Sequence, residues 1–222
     1  MKRSMLISCT QAAQCLLAPP YCFYCLIILS EREHLCSSCC ARIEQPVSYT
    51  LQITKGQHIV VHSLGFYEDP VRTLIRTKHH AQQHGAYVIG ELLARTITTH
   101  LLENALLVPI PLHWTRYASR GFNQAEVIAS RVAAYHHVPV VPLLVRTKRT
   151  PFQARSPVKQ RHANVQDAFM WNPLYDRDVY QQSTYILVDD LMTTGATLVA
   201  AARCLLDGHS RKIVAIVAAR VR

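Results

Sequence analysis

Short apolar runs alternate with stretches of helical periodicity along most of this 222-residue chain. The short runs are rich in aliphatic and β-branched residues and end at polar residues or prolines, which is typical of buried strands. These predicted strands lie at residues 58–66, 105–110, 140–145, 185–188 and 213–217. Because helices are predicted between several of them, the pattern favours an α/β fold with a mostly parallel sheet flanked by helices.

Apolar residues recur at helical spacing in three segments between the predicted strands. They are Val88, Ile89, Leu92, Leu93 and Ile97, then Val127, Ile128 and Val132, then Leu198, Val199, Ala202, Leu205 and Leu206. Asn123, with Glu126 three residues later, predicts the start of the second helix, and Gly208 predicts the end of the third. A further short helix is expected within residues 1–20, before Pro19 and Pro20.

Cysteines are concentrated at the start of the chain, where seven of the eight precede residue 41. We expect reduced thiols, because the start of the chain does not read as a secretory signal and about half of all residues are apolar, enough for a sizeable core. Two Cys-x-x-Cys knuckles, Cys22 with Cys25 and Cys36 with Cys39, are separated by ten residues. This spacing lets four thiolates bind one ion and predicts a structural zinc site.

Two alternatives accompany the zinc prediction. The cysteines could instead be unligated or redox-active thiols, and Cys40 or His34 could replace one predicted ligand. Gln45 and Pro46 predict a boundary between an N-terminal helix and zinc module at residues 1–48 and an α/β domain at residues 49–222. No apolar run reaches the roughly 18 residues that a membrane span needs, so we expect no transmembrane segment and a cytoplasmic protein.

The chain is basic, with a formal net charge of +10, and nine of these net charges lie in residues 51–222. Such an excess favours polyanionic partners such as nucleotides, phosphosugars, nucleic acids or acidic lipid headgroups. A basic, solvated surface with no specific partner would have the same composition. Charge alone does not choose between these interpretations.

The segment 186–198, ILVDDLMTTGATL, combines an apolar strand, two acids and a turn rich in threonine and glycine. Ligands of open parallel sheets bind beyond the carboxyl ends of the strands, where Asp189 and Asp190 would lie. The helix after the turn exposes backbone N–H groups that can bind a phosphate, and Gly195 lets the backbone approach the anion. The two carboxylates can accept hydrogen bonds from sugar hydroxyls and hold a hydrated magnesium ion. The plainer alternative is that these acids only cap the helix.

The same segment resembles the thirteen-residue signature by which type I phosphoribosyltransferases bind 5-phosphoribosyl-1-pyrophosphate. The resemblance implies a type I phosphoribosyltransferase-like fold for residues 49–222 and a phosphoribosyl ligand bound with magnesium. It implies that Asp189 and Asp190 contact the ribose hydroxyls and hold magnesium through water. The residues that would wrap the 5′-phosphate are Thr193, Thr194, Gly195, Ala196 and Thr197.

Further motifs resemble the ComF family of bacterial proteins, which includes ComF and GntX-like proteins, over nearly the full chain. Besides the four cysteines and the phosphoribosyl signature, they comprise LIRTK at 74–78, VPIPL at 108–112, RGFNQ at 120–124, Arg146-x-x-x-Thr150-x-x-Gln153, and Arg161-x-x-Asn164-Val165-x-x-Ala168-Phe169. The resemblance implies a role in natural transformation, the uptake of external DNA in single-stranded form. It also implies action in the cytoplasm beside the proteins of the DNA-import machinery.

Basic residues outside the signature suggest how an anionic ligand could be held. Arg120 could neutralise phosphate charge or form a surface ion pair. The segment 143–162 could be a flap that closes over the site, a contact for single-stranded DNA, or a solvated loop. It contains no acid and six basic residues, Arg146, Lys148, Arg149, Arg155, Lys159 and Arg161. Lys78, followed by His79, His80 and His84, forms a second basic patch.

Three functions are compatible with these features. The first is a competence protein that handles incoming single-stranded DNA and binds phosphoribosyl-pyrophosphate. The second is an active phosphoribosyltransferase of nucleotide salvage, although no nucleobase pocket can be read after the phosphate-binding turn. The third is a non-catalytic sensor or scaffold for a phosphoribosyl ligand. The sequence leaves catalysis open because a fold does not determine a reaction.

Overall fold

The computed structural model describes residues 20–30, 33–43, 46–76, 80–147, 168–180, 183–206 and 212–222, without the side chains of residues 80–82, 116 and 119. The chain divides into two compact units, residues 1–43 and 44–222. Several predicted features lie outside the described residues: the N-terminal helix, Gly208, Lys78, His79 and the part of the basic segment that follows Thr147.

The described strands, in chain order, are β1 (Val47–Thr54), β2 (Gln57–Phe66), β3 (Ala105–Pro109), β4 (Leu144–Arg146), β5 (Phe169–Trp171), β6 (Thr184–Met192) and β7 (Ile213–Arg220). The described α-helices are α1 (Ser37–Ala41), α2 (Val71–Arg76), α3 (His80–Thr96), α4 (Thr99–Leu102), α5 (Trp114–Arg120), α6 (Gln124–His136) and α7 (Ala196–Leu206). None of the helices in these described stretches is long and apolar enough to cross a membrane.

The second unit contains a five-stranded sheet in the order β1-β2-β7-β6-β3. β1 pairs antiparallel with β2, and the remaining pairs are parallel. The parallel strands therefore end at one common edge, where ligands of such sheets bind. The predicted α/β class with a mostly parallel sheet and flanking helices is confirmed.

Both faces of the sheet are covered, which explains the apolar runs. Tyr185 and Leu187 of β6 belong to a core cluster that includes Leu198 and Leu205 of α7 as well as β4 and β5. Ile186 and Val188 point to the opposite face because side chains alternate along a strand. There α6 packs on β6, and α3 packs on α6.

Several element boundaries differ from the predictions. β6 continues to Met192, four residues beyond the predicted strand, so the prediction that Asp189 and Asp190 follow the strand was wrong. Within the predicted strand 140–145, Val140 forms only an isolated bridge and β4 begins at Leu144. β1 was not predicted because most of its residues are exposed or half-buried, as befits an edge strand without an apolar run.

Candidate functional site

The cysteine knuckles of the first unit are built by short backbone hydrogen bonds. The amide of Cys22 donates to the Ile27 carbonyl at 2.8 Å, and the amide of Leu26 donates to the Cys22 carbonyl at 2.9 Å. Leu26 adopts a left-handed conformation that turns the chain back. At the second knuckle, Cys36 is the N-cap of α1, and its sulfur accepts a hydrogen bond from the Cys39 amide. Both turns fix the directions of their thiols.

The four predicted cysteines converge on one point. Their Sγ atoms all lie within 4.8 Å of one another, and those of Cys25 and Cys36 are 3.7 Å apart. A tetrahedral zinc ion with Zn–S bonds of about 2.3 Å places its sulfur ligands about 3.8 Å apart. The cluster therefore has the dimensions to hold a metal ion such as zinc. Cys40 and His34 are not among the potential ligands that cluster within the described stretches.

The thiols of this cluster differ in acidity. Burial opposes ionisation of Cys22, but hydrogen bonds from backbone N–H groups outweigh it and lower its pKa to about 6. Burial and the neighbouring thiols raise the pKa of Cys39 well above its usual value. A bound divalent cation supplies the positive charge that allows several adjacent thiols to ionise together. The chemistry of the cluster thus suits a metal ion better than four free thiols.

The two acids of the predicted phosphoribosyl site lie near the end of β6. Asp189 pairs with Val217 of β7 in the register of the sheet, and its Oδ1 accepts a hydrogen bond from the Asp190 amide at 2.9 Å. Because successive residues of a strand alternate, the two carboxylates project toward opposite faces. Asp189 shares its face with α7.

Asp189 is held in an environment that disfavours its charge. Burial, followed by the negative charge of Asp190, raises its pKa well above the usual value, and the positive charge of Arg146 acts in the opposite direction. Arg146 ends β4 and stands over the ring of Phe169 at 5.4 Å. This relation between Arg146 and Asp189 was not predicted, because nothing in their local sequences links two residues so far apart in the chain.

The turn between β6 and α7 contains the residues for which the sequence predicts phosphate binding. Gly195 has a φ of +77°, in the left-handed region, and the Ala196 amide donates to the Thr194 hydroxyl at 3.4 Å. α7 follows with no acid in its first turn. The structure thus places Thr193, Thr194, Gly195, Ala196 and Thr197 in the bend and at the helix start.

A hydrophobic contact that the sequence did not reveal backs this turn. A Cβ atom placed on Gly195 would lie 2.5 Å from Cδ1 of Leu51. Leu51 belongs to β1 and packs against the core cluster. The edge hairpin, formed by β1 and β2, therefore packs against the candidate phosphate turn through Leu51.

The VPIPL and RGFNQ motifs meet beside β6. The amide of Ile110, just beyond β3, donates to the Val188 carbonyl at 2.9 Å. Asn123 caps α6 by accepting from the Ala125 amide, and its Nδ2 donates to the Ile110 carbonyl at 3.0 Å. The capping role predicted for Asn123 is confirmed.

Arg120 is exposed, and it donates to the side-chain oxygen of Gln124 at 3.1 Å. The Nε2 of the buried Gln124 in turn donates to the Ile75 carbonyl at the end of α2. The described contact of Arg120 is therefore with the RGFNQ motif itself, and its predicted role toward a phosphate stays a prediction. Among the residues of the basic segment 143–162 that the structure describes, Arg146 has a charge that acts on Asp189.

Two curated competence proteins are similar to most of this chain. Competence protein F of Haemophilus influenzae is 27% identical over 189 residues, which cover 81% of this chain and 75% of that protein. Competence protein ComFC of Bacillus subtilis is 25% identical over 209 residues, covering 82% of both. DNA utilization protein YhgH of Escherichia coli K12 is 30% identical over 118 residues, covering 52% of this chain and 49% of that protein. No family model matches the chain.

Proposed function

We infer from these relatives that the chain belongs to the ComF family, and we propose that it handles single-stranded DNA during uptake. We further propose that the turn between β6 and α7 binds 5-phosphoribosyl-1-pyrophosphate or another phosphoribosyl group. The observation that carries the second proposal is the succession of Asp189 and Asp190, the left-handed Gly195 and the start of α7 at the carboxyl edge of a parallel sheet.

Phosphate binding at this turn follows from elementary electrostatics. The first N–H groups of α7 have no partner within the helix, and the positive end of the helix dipole points at the turn. Gly195 supplies the left-handed conformation with which the chain turns into α7. The hydroxyl groups of Thr193, Thr194 and Thr197 are further donors. Together they suit the 5′-phosphate of a ribosyl group.

The two acids suit the ribose and the magnesium ion of such a ligand. Asp189 and Asp190 offer oxygen acceptors for the ribose hydroxyls and for a magnesium ion that keeps several of its waters. A nearby cation would relieve the repulsion that raises the pKa of Asp189. Bound magnesium would supply charge neutralisation for the pyrophosphate group. We assign neutralisation of a second phosphate to Arg120, which the sequence predicts for this role, and to Arg146, whose charge acts on Asp189.

The DNA part of the proposal is supported by the relatives and by charge. Two relatives are named competence proteins and one a DNA utilization protein. The net charge of +10 favours a polyanionic partner. We place this activity in the cytoplasm, next to the DNA-import machinery, as the family resemblance implies. Binding of single-stranded DNA should weaken steeply with salt, with a slope of about −0.7 for each phosphate contact.

Calorimetric titration with phosphoribosyl-pyrophosphate and magnesium tests the ligand proposal. Asp190→Asn keeps the size of the side chain and removes its charge, so we expect it to weaken binding by about 10- to 150-fold, the loss of a hydrogen bond to a charged group. Glu103→Gln is the matched control, because Glu103 is an exposed acid on a surface ion pair with His100. Equal affinities of Asp190→Asn and the wild-type protein would refute the site.

A pyrophosphate-release assay separates a transferase from a binding protein. Release of pyrophosphate in the presence of one common nucleobase would identify a phosphoribosyltransferase. Binding without release across a panel of bases would identify a sensor or scaffold. Neither result alters the DNA proposal, which is tested by the salt dependence of binding to a single-stranded oligonucleotide.

A further inference from the structure

We propose that Trp114 and Tyr117 form a stacking platform for the bases of single-stranded DNA. This inference rests on the proposed DNA-handling function and assigns part of it to residues of α5. The side chain of Trp114 is 72% exposed and that of Tyr117 is 48% exposed. They are three residues apart in a helix, so they lie on one side of it. Two large aromatic residues thus present adjacent bare surfaces.

The second tryptophan of the chain, Trp171, belongs to the hydrophobic core and contrasts with Trp114. Trp171 is only 8% exposed, and its Nε1 donates to the Tyr175 carbonyl at 2.6 Å. Trp114 lies at the opposite extreme of exposure. The exposed aromatic surface of Trp114 is therefore free to stack against a flat, aromatic group of a bound partner.

The helix that carries the platform, α5, is anchored at both of its ends. His113 is buried and caps α5 by accepting from the Thr115 amide, and its ring centre lies 5.7 Å from that of Trp114. At the other end, Gly121 ends the helix in a left-handed conformation, and Phe122 is buried directly after it. A short helix anchored on both sides offers its aromatic residues at low entropic cost to a ligand.

The charges around α5 favour a nucleic acid as the occupant. The helix has the sequence WTRYASR, with two arginines and no acid. Arg120 is exposed, and its link through Gln124 to the Ile75 carbonyl brings it to the end of α2, where Arg76 is also exposed. Single-stranded DNA combines a polyanionic backbone with flat aromatic bases, and its binding sites combine cations with stacking residues. An acidic peptide without aromatic groups would contact only the arginines, and an uncharged apolar partner would contact only the aromatic residues.

The position of α5 relates the platform to the proposed phosphoribosyl site. Ile110 bonds to Val188, the residue before Asp189, and Trp114 follows Ile110 by four residues. Four residues span at most about 14 Å, so the platform begins at the same carboxyl edge of the sheet. One nucleotide chain could therefore contact both regions.

Binding of two oligomers by the full-length protein tests the platform. One is an oligothymidine, and the other is an abasic oligomer of equal length that has the phosphates but no bases. Removal of one stacking residue costs about 1–3 kcal/mol per base, so Trp114→Ala should weaken oligothymidine binding by about 5- to 150-fold. Binding of the abasic oligomer should be unchanged. Tyr135→Ala is the control, because Tyr135 is an exposed aromatic residue on α6.

Each outcome has a distinct meaning. Unchanged oligothymidine binding by Trp114→Ala would overturn the platform and leave the DNA-handling function standing. An equal loss with both oligomers would also overturn stacking, because the defect would not depend on bases. If the wild-type protein bound neither oligomer, the proposed function itself would fail. Quenching of the exposed tryptophan by oligothymidine, absent in Trp114→Phe, gives a second readout that does not depend on affinity.

Discussion

Leu51 fills the space that any side chain at position 195 would need. Because a Cβ atom on Gly195 would approach Cδ1 of Leu51 to 2.5 Å, any larger residue at the turn between β6 and α7 would force the Leu51 side chain to move. The φ of +77° favours glycine independently, through the backbone. Two independent physical causes thus select one residue at the candidate phosphate site.

Gly195→Ala should destabilise the second unit by about 2–4 kcal/mol, combining a left-handed conformation with overpacking. Gly56→Ala is the matched control, because Gly56 has a φ of +85° but nothing within 4 Å of an added Cβ. It should cost only about 1–2 kcal/mol. Urea unfolding measures both. The double variant Gly195→Ala with Leu51→Ala should recover the overpacking part, and a purely additive result would contradict the contact.

Metal analysis of the purified, reduced protein should find about one zinc per chain. Cys36→Ser should lower the metal content and destabilise the first unit, while serine retains the ability to cap α1. Cys40→Ser should leave the zinc content unchanged, because Cys40 is exposed and its Sγ lies outside the cluster of four. Zinc-free protein from a reduced, chelator-free preparation would refute the site.

The stability of the second unit should depend on the protonation of Asp189. Its pKa is raised in the folded protein, first by burial and then by Asp190, whereas an unfolded aspartate titrates near its reference pKa of about 3.9. The folded state therefore retains a proton between these two pKa values. The contribution of Asp189 to stability is therefore greatest below the unfolded pKa and is lost as the pH rises through the folded pKa.

Asp189→Asn should remove this fall and be more stable than the wild-type protein above the folded pKa of Asp189. The free energy of unfolding in urea, measured at a series of pH values without magnesium, checks this expectation. Glu103→Gln, which removes a surface carboxylate, should retain the wild-type dependence in this range. Parallel profiles of the wild-type protein and Asp189→Asn across this pH range would show that Asp189 ionises without penalty.

Asn123 should contribute to stability in two separable ways. It caps α6 and donates to the buried carbonyl of Ile110. Asn123→Ala loses both and should cost about 2–4 kcal/mol, from a lost cap and a buried carbonyl left without its donor. Asn123→Ser keeps a capping oxygen and should cost about 1–2 kcal/mol less. Thermal or urea unfolding distinguishes the two variants, and equal losses would mean that the cap contributes little.

Local patterns predicted the elements that are buried. β2, β3, α3, α6 and α7 are apolar on the side that faces the core, and burial is what produces a readable period. The cysteine cluster was predictable for a related reason, because a Cys-x-x-Cys turn fixes its geometry within four residues. Asn123 was predictable because its cap is formed with the residues next to it.

Features that depend on long-range contacts were not predictable in this way. β1 is a mostly exposed edge strand, and two acids interrupt the apolar run near the end of β6, so neither has a continuous apolar run. The contact of Leu51 with Gly195 joins two distant segments, as does the electrostatic effect of Arg146 on Asp189. The exposure of Trp114 is a property of the folded surface. A single sequence carries no local signal for these relations.

Because β6 extends through Met192, its two acids are part of the strand and are not equivalent in position. Adjacent residues of a strand face opposite sides, so Asp189 and Asp190 have different neighbours. The two acids are chemically identical and consecutive in the chain, yet a substitution at either position alters a different face of the sheet.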